Sequence, residues 1–154
     1  MTEPRTWTYL MWAPARWLNS NDRDKRRPDK VIAAWRGTSS AIAQYAKIPR
    51  LDRVRITAEL QWPDNRRRDA ANYMPSIKAA IDGIVLAGVL ADDSDKYVAA
   101  LTIQRGPNCE RRHVAAFQGA LVLTITEETA VNQQPPVEGP KPRPTFPPKP
   151  QVQA

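Results

Sequence analysis

Apolar and polar residues alternate from Asp52 to Trp62: Val54, Ile56, Ala58, Leu60 and Trp62 fall on one side, Arg53, Arg55, Thr57, Glu59 and Gln61 on the other. A period of two predicts a half-buried strand. Thr6–Ala13 puts Trp7, Tyr9 and Met11 on one face ahead of Pro14 and predicts a buried strand. Further strands are expected at Tyr97–Gln104 and from about Val114 to Thr126, with Gly119 as a bulge in the second. Elsewhere the period becomes helical. Ile32, Trp35, Ile42, Tyr45 and Ala46 recur at threes, fours and sevens, predicting a helix from Pro28 to Lys47 with a kink or break at Gly37. A second helix is expected from Asn72, its cap, to Ala87, with Pro75 in the first turn, Ile77, Ile81, Ile84, Val85 and Gly88 as the apolar stripe, and Gly88 as the stop. The order strand, helix, strand, helix, strand, strand predicts a small α/β (α+β) two-layer sandwich, with a mixed, largely antiparallel four-stranded sheet and two helices.

Composition changes this picture at the C-terminus. After Thr129 most of the 15 prolines follow in PPVEGPKPRPTFPPKP, so residues 1–128 are expected to form one domain and 129–154 a disordered or polyproline-like tail. Such a tail is either a tether or a ligand for a partner. It carries Lys141, Arg143 and Lys149 against Glu138, so most of the net charge of +7 belongs to the domain. A basic domain points to a polyanion or to an ordinary solvated surface. Cys109 and His113 are the only residues of their kinds, which excludes disulfide frameworks, Cys/His zinc sites and most histidine-based triads. No apolar run is long enough to cross a membrane, and the N-terminal residues lack a signal-peptide core, so a cytoplasmic protein without membrane contact is expected.

Candidate chemistry concentrates in Trp62–Asp93. Arg66, Arg67 and Arg68 run into Asp69 and Asn72, the helix carries Lys78, and Asp92 and Asp93 close the stretch. Hydrolysis of a phosphodiester without histidine is most simply done by Mg²⁺ on carboxylates, which activates water and neutralises charge on phosphate. Asp69, Asp92 and Asp93 are the candidate ligands, with Glu59, Asp64, Asp82 and Asp95 as reserves. Lys78 is the candidate for stabilising the phosphate or the leaving oxygen, and the three arginines for holding flanking phosphates. The alternative is a loop aspartate paired with an arginine, a surface pair between Lys78 and Asp82, and an ordinary acidic turn. Upstream, the polar loop RWLNSNDRDKRRP adds Arg16, Arg23, Lys25, Arg26 and Arg27, which suit a phosphate backbone or plain solvation.

RRRDAAN, then IKAAIDGIVLAGVL, then DD, with NSNDR upstream, resembles the RusA family of Holliday junction resolvases. The likeness covers most of residues 6–127 in the order of elements, and its specificity lies in Arg66–Asp93. The resemblance implies a homodimeric, Mg²⁺-dependent crossover junction endodeoxyribonuclease, with Mn²⁺ as an alternative metal, that cuts four-way DNA junctions in recombination and repair. Such proteins are frequently encoded by phages or prophages, which would place this one in the host cytoplasm. On the matching positions Asp69, Lys78, Asp92 and Asp93 become catalytic, the three aspartates metal ligands, and Asn72 a member of the DNA-binding set with Arg23, Lys25–Arg27 and Arg66–Arg68. The chain departs from the pattern in two places. Ala71 stands where the motif has its second aspartate, and Lys78 lies about one turn further from Asn72 than in the shorter pattern. Ala71 keeps open a branched-DNA-binding protein with weak or no cleavage. A third reading is a basic scaffold that docks partners through the tail.

Length adds a geometric expectation. A helix over Asn72–Ala87 is roughly 24 Å long, and Gly88–Asp92 spans at most about 14 Å. Asp92 then cannot return to Asp69 within one subunit, so a metal shared by both requires ligands from two subunits.

Overall fold

A computed structural model describes residues 3–23 and 28–129. The expected loop cations Lys25, Arg26 and Arg27, and nearly all of the proline-rich tail, lie outside the described residues.

Four strands, β1 (Thr6–Trp12), β2 (Val54–Gln61), β3 (Val98–Arg105) and β4 (Ala120–Glu127), and two helices, α1 (Asp29–Tyr45) and α2 (Met74–Leu86), make up the fold. The sheet order is β1-β4-β2-β3. β4 runs antiparallel to both neighbours, and β3 runs parallel to β2. This is the expected mixed sheet with two helices. The parallel pair follows from the connection, because α2 lies between β2 and β3 and a helical crossover returns the chain in the same direction.

Strict alternation in β2 has the expected consequence: Val54, Ile56, Ala58 and Leu60 are buried. Beside them β4 contributes Leu121, Leu123 and Ile125, and β1 contributes Tyr9 and Met11. From the helix layer Trp35, Ile77, Ala80 and Ile84 complete the core.

The helices meet through small residues rather than through the expected stripe alone. A Cβ on Gly83 would stand 2.4 Å from the carbonyl oxygen of Arg36 and 2.7 Å from Cβ of Ser39. Close approach buries Ser39 completely. Its hydroxyl donates to the Ala80 carbonyl at 2.7 Å and lies 2.9 Å from the Tyr9 hydroxyl, so no polar atom is orphaned there. Burial pushes the Tyr9 phenol up to about 12.

Several expectations are corrected. α1 runs through Gly37 as one continuous helix, because helical hydrogen bonding there needs no side chain, and the cost of glycine is offset by packing. Tyr45 is 90% exposed and Ala46 caps the helix, so the buried face is completed by Ser39, Ser40 and Ala43. Asn72 is not the helix cap. Asp69 is the cap, accepting from the Ala71 amide at 3.1 Å, of a 3₁₀ turn over Ala70–Tyr73 that leads into α2. Pro75 does lie in the first turn of α2, and Gly88, at φ 82°, ends the helix as expected. Ile77, Ile81 and Ile84 are buried, but Val85 is only half-buried.

β4 starts six residues later than its sequence pattern suggests. Gly119 is the strand's entry point and not a bulge inside it: it takes φ 97°, and a Cβ there would meet the Trp62 ring at 2.9 Å. No helix among the described residues is long and apolar enough to cross a membrane.

Candidate functional site

Three loops gather at the end of the sheet where β2 and β3 finish and β4 begins. The Ala13 amide donates to Gly119, Trp17 Nε1 to the Gln118 carbonyl, and the Ser20 amide to Asn72. Residues after β3 are tied to those after β2: the Cys109 amide donates to Trp62 at 3.0 Å and Asn108 Nδ2 to Asn65 Oδ1 at 2.6 Å. The Ser20 contact thereby ties the loop after β1 to the segment that follows Arg66–Asp69.

Beneath them stands an aromatic cluster. Trp17 packs with its ring centroid 4.6 Å from both Trp35 and Trp62, and Tyr73 lies 5.2 Å from Trp62. Arg68 covers this cluster, its guanidinium 4.5 Å from the Trp62 centroid and bidentate on Asp64 at 2.6 and 3.2 Å. That fork, helped by the Arg66 amide, pulls the Asp64 carboxyl down to about 2. Arg68 is thus engaged with the scaffold and only 18% exposed, unlike its two neighbours in the run. Asp64 is consumed in the same pair as a reserve ligand.

Arg105 was not anticipated. Its guanidinium donates to the carbonyl oxygens of Asp64 and Arg66 at 2.7 and 2.8 Å, fixing the backbone that carries the arginine run. A terminal arginine on a strand gives no sequence signal for this, since its target depends on the parallel β2–β3 register. Arg66 and Arg67 remain exposed and without an ion pair among the described residues. Asp69 follows them, exposed, with one carboxylate oxygen engaged in capping. Asn72 contributes backbone contacts here, with its amide on the Asp69 carbonyl at 3.1 Å and its carbonyl taking the Ser20 amide at 2.8 Å.

At the far end of the sheet three arginines are ion-paired. Arg53 and Arg55 share Glu128, whose side chain is 3% exposed, and Arg5 pairs with Glu127 at 2.8 Å. These three arginines are committed to carboxylates, whereas Arg66 and Arg67 at the loop end are not.

The second acidic cluster sits on the outer side of α2. Lys78 donates to Asp82 at 2.7 Å, the pair foreseen as the modest alternative, and also to Asp93. The loop after α2 turns back along the helix to make this possible, with Val89 and Leu90 buried as its anchors and the Leu51 amide held by the Val89 carbonyl at 2.8 Å. Asp93 thus retraces about 12 Å of helix from Leu86 to Lys78. This return lies within the roughly 14 Å that Gly88–Asp92 can span. Met74, Lys78, Ile81, Asp93 and Asp95 line a pocket of about 390 Å³ against β3. Arg36, Asp82, Asp92 and Asp93 line a neighbouring pocket of about 490 Å³.

The structure thus brings Lys78 to Asp93, with Asp92 alongside, and Arg66 and Arg67 to Asp69, but it leaves the two groups on different parts of α2 and its lead-in. Among the described residues no three Asp, Glu, His or Cys side chains come together in a way that can hold a metal. The donor chemistry, oxygen only, suits Mg²⁺, yet the described residues of one chain bring no complete ligand set together, and one Asp93 oxygen is held by an ammonium group. No family model matches the chain, and no curated protein matches it.

Proposed function

We propose that the protein is a homodimeric, divalent-metal-dependent endonuclease of branched DNA, of the RusA kind, acting on four-way junctions. The observation that carries this reading is that exposed Arg66 and Arg67 stand close in sequence to Asp69 on a braced loop, while a second carboxylate pair, Asp92 and Asp93, lies beside Lys78 on α2. Arginine forks hold phosphates flanking the scissile bond. Carboxylates from both clusters would hold a divalent metal, which would supply water activation and charge neutralisation at the phosphate. Because the clusters are apart within one chain, each complete site takes Asp69 from one subunit and Asp92 and Asp93 from the other. Two composite sites related by a twofold axis suit symmetric cutting.

Within such a site the chain's own residues divide the work. Arg105 and the Arg68–Asp64 fork hold the arginine loop in one geometry, so phosphate binding orders little further backbone. Lys78, held by Asp82 and Asp93, would be the cation that stabilises the substrate phosphate or the leaving oxygen.

A second reading, a branched-DNA-binding protein with weak or no cleavage, is favoured by Ala71, which supplies no carboxylate, and by the Lys78 ammonium on Asp93. Incubating the full chain with a synthetic four-way junction, with EDTA and then with Mg²⁺ or Mn²⁺, separates the two. Metal-dependent paired nicks near the branch support the nuclease. Tight junction binding in EDTA with no product in either metal overturns it in favour of the binding protein.

A further inference from the structure

The loop after β3 presents apolar side chains to solvent among cations. Val114 is 95% exposed and Phe117 is 40% exposed, while Arg111 and His113 beside them are exposed as well. Two exposed apolar groups on a polar loop would ordinarily be unremarkable. Here, however, the loop is built to hold them in place. Gln118 closes residues 112–118 into a ring with its side chain, accepting from the Arg112 amide at 3.0 Å and donating to the Arg112 carbonyl at 2.7 Å. The Arg112 guanidinium lies over the Trp12 ring at 4.9 Å, and Trp17 Nε1 holds the Gln118 carbonyl at 2.8 Å. The ring is thus anchored to two tryptophans of the domain.

Its location gives it a partner. Asn108 on the stem of this loop binds Asn65, the residue before Arg66 and Arg67, so the apolar tip and the free arginines share one end of the sheet. Cations flanking an apolar tip complement a chain of phosphates with accessible base faces. Proteins that bend or open DNA commonly insert apolar side chains between bases while arginines hold the adjacent backbone. In continuous duplex the base faces are stacked away, but at a branch point the terminal pairs offer them.

We propose that residues 113–117 form a wedge that sets Val114 and Phe117 against the base faces at the centre of a DNA branch. This rests on the branched-DNA reading above and extends it from the phosphates to the branch itself. The arginines supply affinity for any DNA, and the wedge supplies the preference for branched over linear molecules.

The test uses the full chain in EDTA and a four-way junction carrying 2-aminopurine at the branch, with a linear duplex of the same length for comparison. The wild-type protein should change the 2-aminopurine emission and prefer the junction. Val114→Ser/Phe117→Ser should abolish the emission change and reduce the preference about tenfold, in line with the loss of a base contact, while duplex affinity changes less than about twofold. Val114→Ser alone, at a side chain that packs against almost nothing, should show a partial loss with no change in melting temperature. If the wild-type protein prefers the junction and the double variant keeps both its preference and its emission change, the wedge is overturned and the branched-DNA reading stands. If the wild-type protein shows no preference for the junction, both are overturned.

Discussion

Lys78 holds Asp93, fifteen residues further along the chain, and Asp82, one helical turn away, at the same time. One cation therefore bridges two carboxylates, one of them a proposed metal ligand. A metal held by Asp93 would compete with the Lys78 ammonium for that carboxylate, and the competition would lower its affinity. Lys78→Gln should raise Mn²⁺ affinity several-fold in calorimetric titration while lowering junction cleavage. Stability should change by less than about 1 kcal/mol, because the pair is solvent-exposed. Unchanged metal affinity would show that Asp93 is not a ligand.

Composite sites predict complementation between subunits. Asp69→Asn and Asp92→Asn/Asp93→Asn homodimers should each be inactive. Remixed by unfolding and refolding, about half of the dimers become mixed, each with one intact and one doubly damaged site. The mixture should nick a junction on one strand, with few paired cuts. Gel analysis of both strands distinguishes this from the absence of any product that single-chain sites would give.

Gly83 tests the helix contact that positions Lys78. Alanine gains up to about 1 kcal/mol in helix propensity, but its Cβ would lie 2.4 Å from the Arg36 carbonyl and 3.0 Å from the Ser40 amide nitrogen. Neither backbone atom can yield without moving α1, so overpacking, at about 1–3 kcal/mol or more, outweighs the propensity gain. Gly83→Ala should lower the thermal midpoint by roughly 5–10 °C. Gly37→Ala, where an added Cβ meets nothing within 4 Å, should raise it slightly.

The periodic parts of this fold were legible in the sequence because each residue's fate depended on its own strand or helix. Val54 to Leu60 alternate, and the alternation alone assigns their faces. The helix contact was not legible. Ser39 and Gly83 are polar or small and carry no apolar signal, and they are buried only because two helices approach closely enough to exclude larger groups. β4 was read too long for a related reason. Val114 and Phe117 look like strand residues, but a Gln118 side chain closes them into a loop. Within the candidate site, the residue types and the Lys78–Asp82 pair could be read from spacing. The return of Asp93 could not, since it depends on Val89 and Leu90 finding the core. Nor were the contacts of Arg68 legible, because the sequence does not show which of three consecutive arginines faces Trp62 and Asp64.

That fork makes stability depend on pH in a defined window. The Asp64 carboxyl is lowered from 3.8 to about 2 in the folded state, chiefly by the hydrogen bond from Arg68. A lowered folded value means that the contribution is fully present above about pH 4 and is lost as pH falls through 2. Asp64→Asn should be less stable than wild type at pH 5, and the difference should shrink between pH 4 and pH 2. Urea midpoints of the two proteins across that range give the measurement, and a constant gap would remove the fork as its source.

Salt dependence separates the arginines that meet DNA from those that hold the fold. Each phosphate neutralised on duplex DNA contributes about 0.9 to the slope of log affinity against log salt. Arg66→Ala/Arg67→Ala should therefore reduce the slope by nearly 2, measured by anisotropy titration between about 50 and 200 mM salt. Arg53→Ala should leave the slope unchanged, because Arg53 is already neutralised by Glu128. It should instead cost stability, since it removes one of the two arginine partners of a carboxylate that is 3% exposed. Arg68→Ala should behave like Arg53→Ala in stability and yet weaken DNA binding, because the loop bearing Arg66 and Arg67 loses its contact with Trp62. A slope reduced by Arg68→Ala as much as by either neighbour would instead return Arg68 to the phosphate contacts.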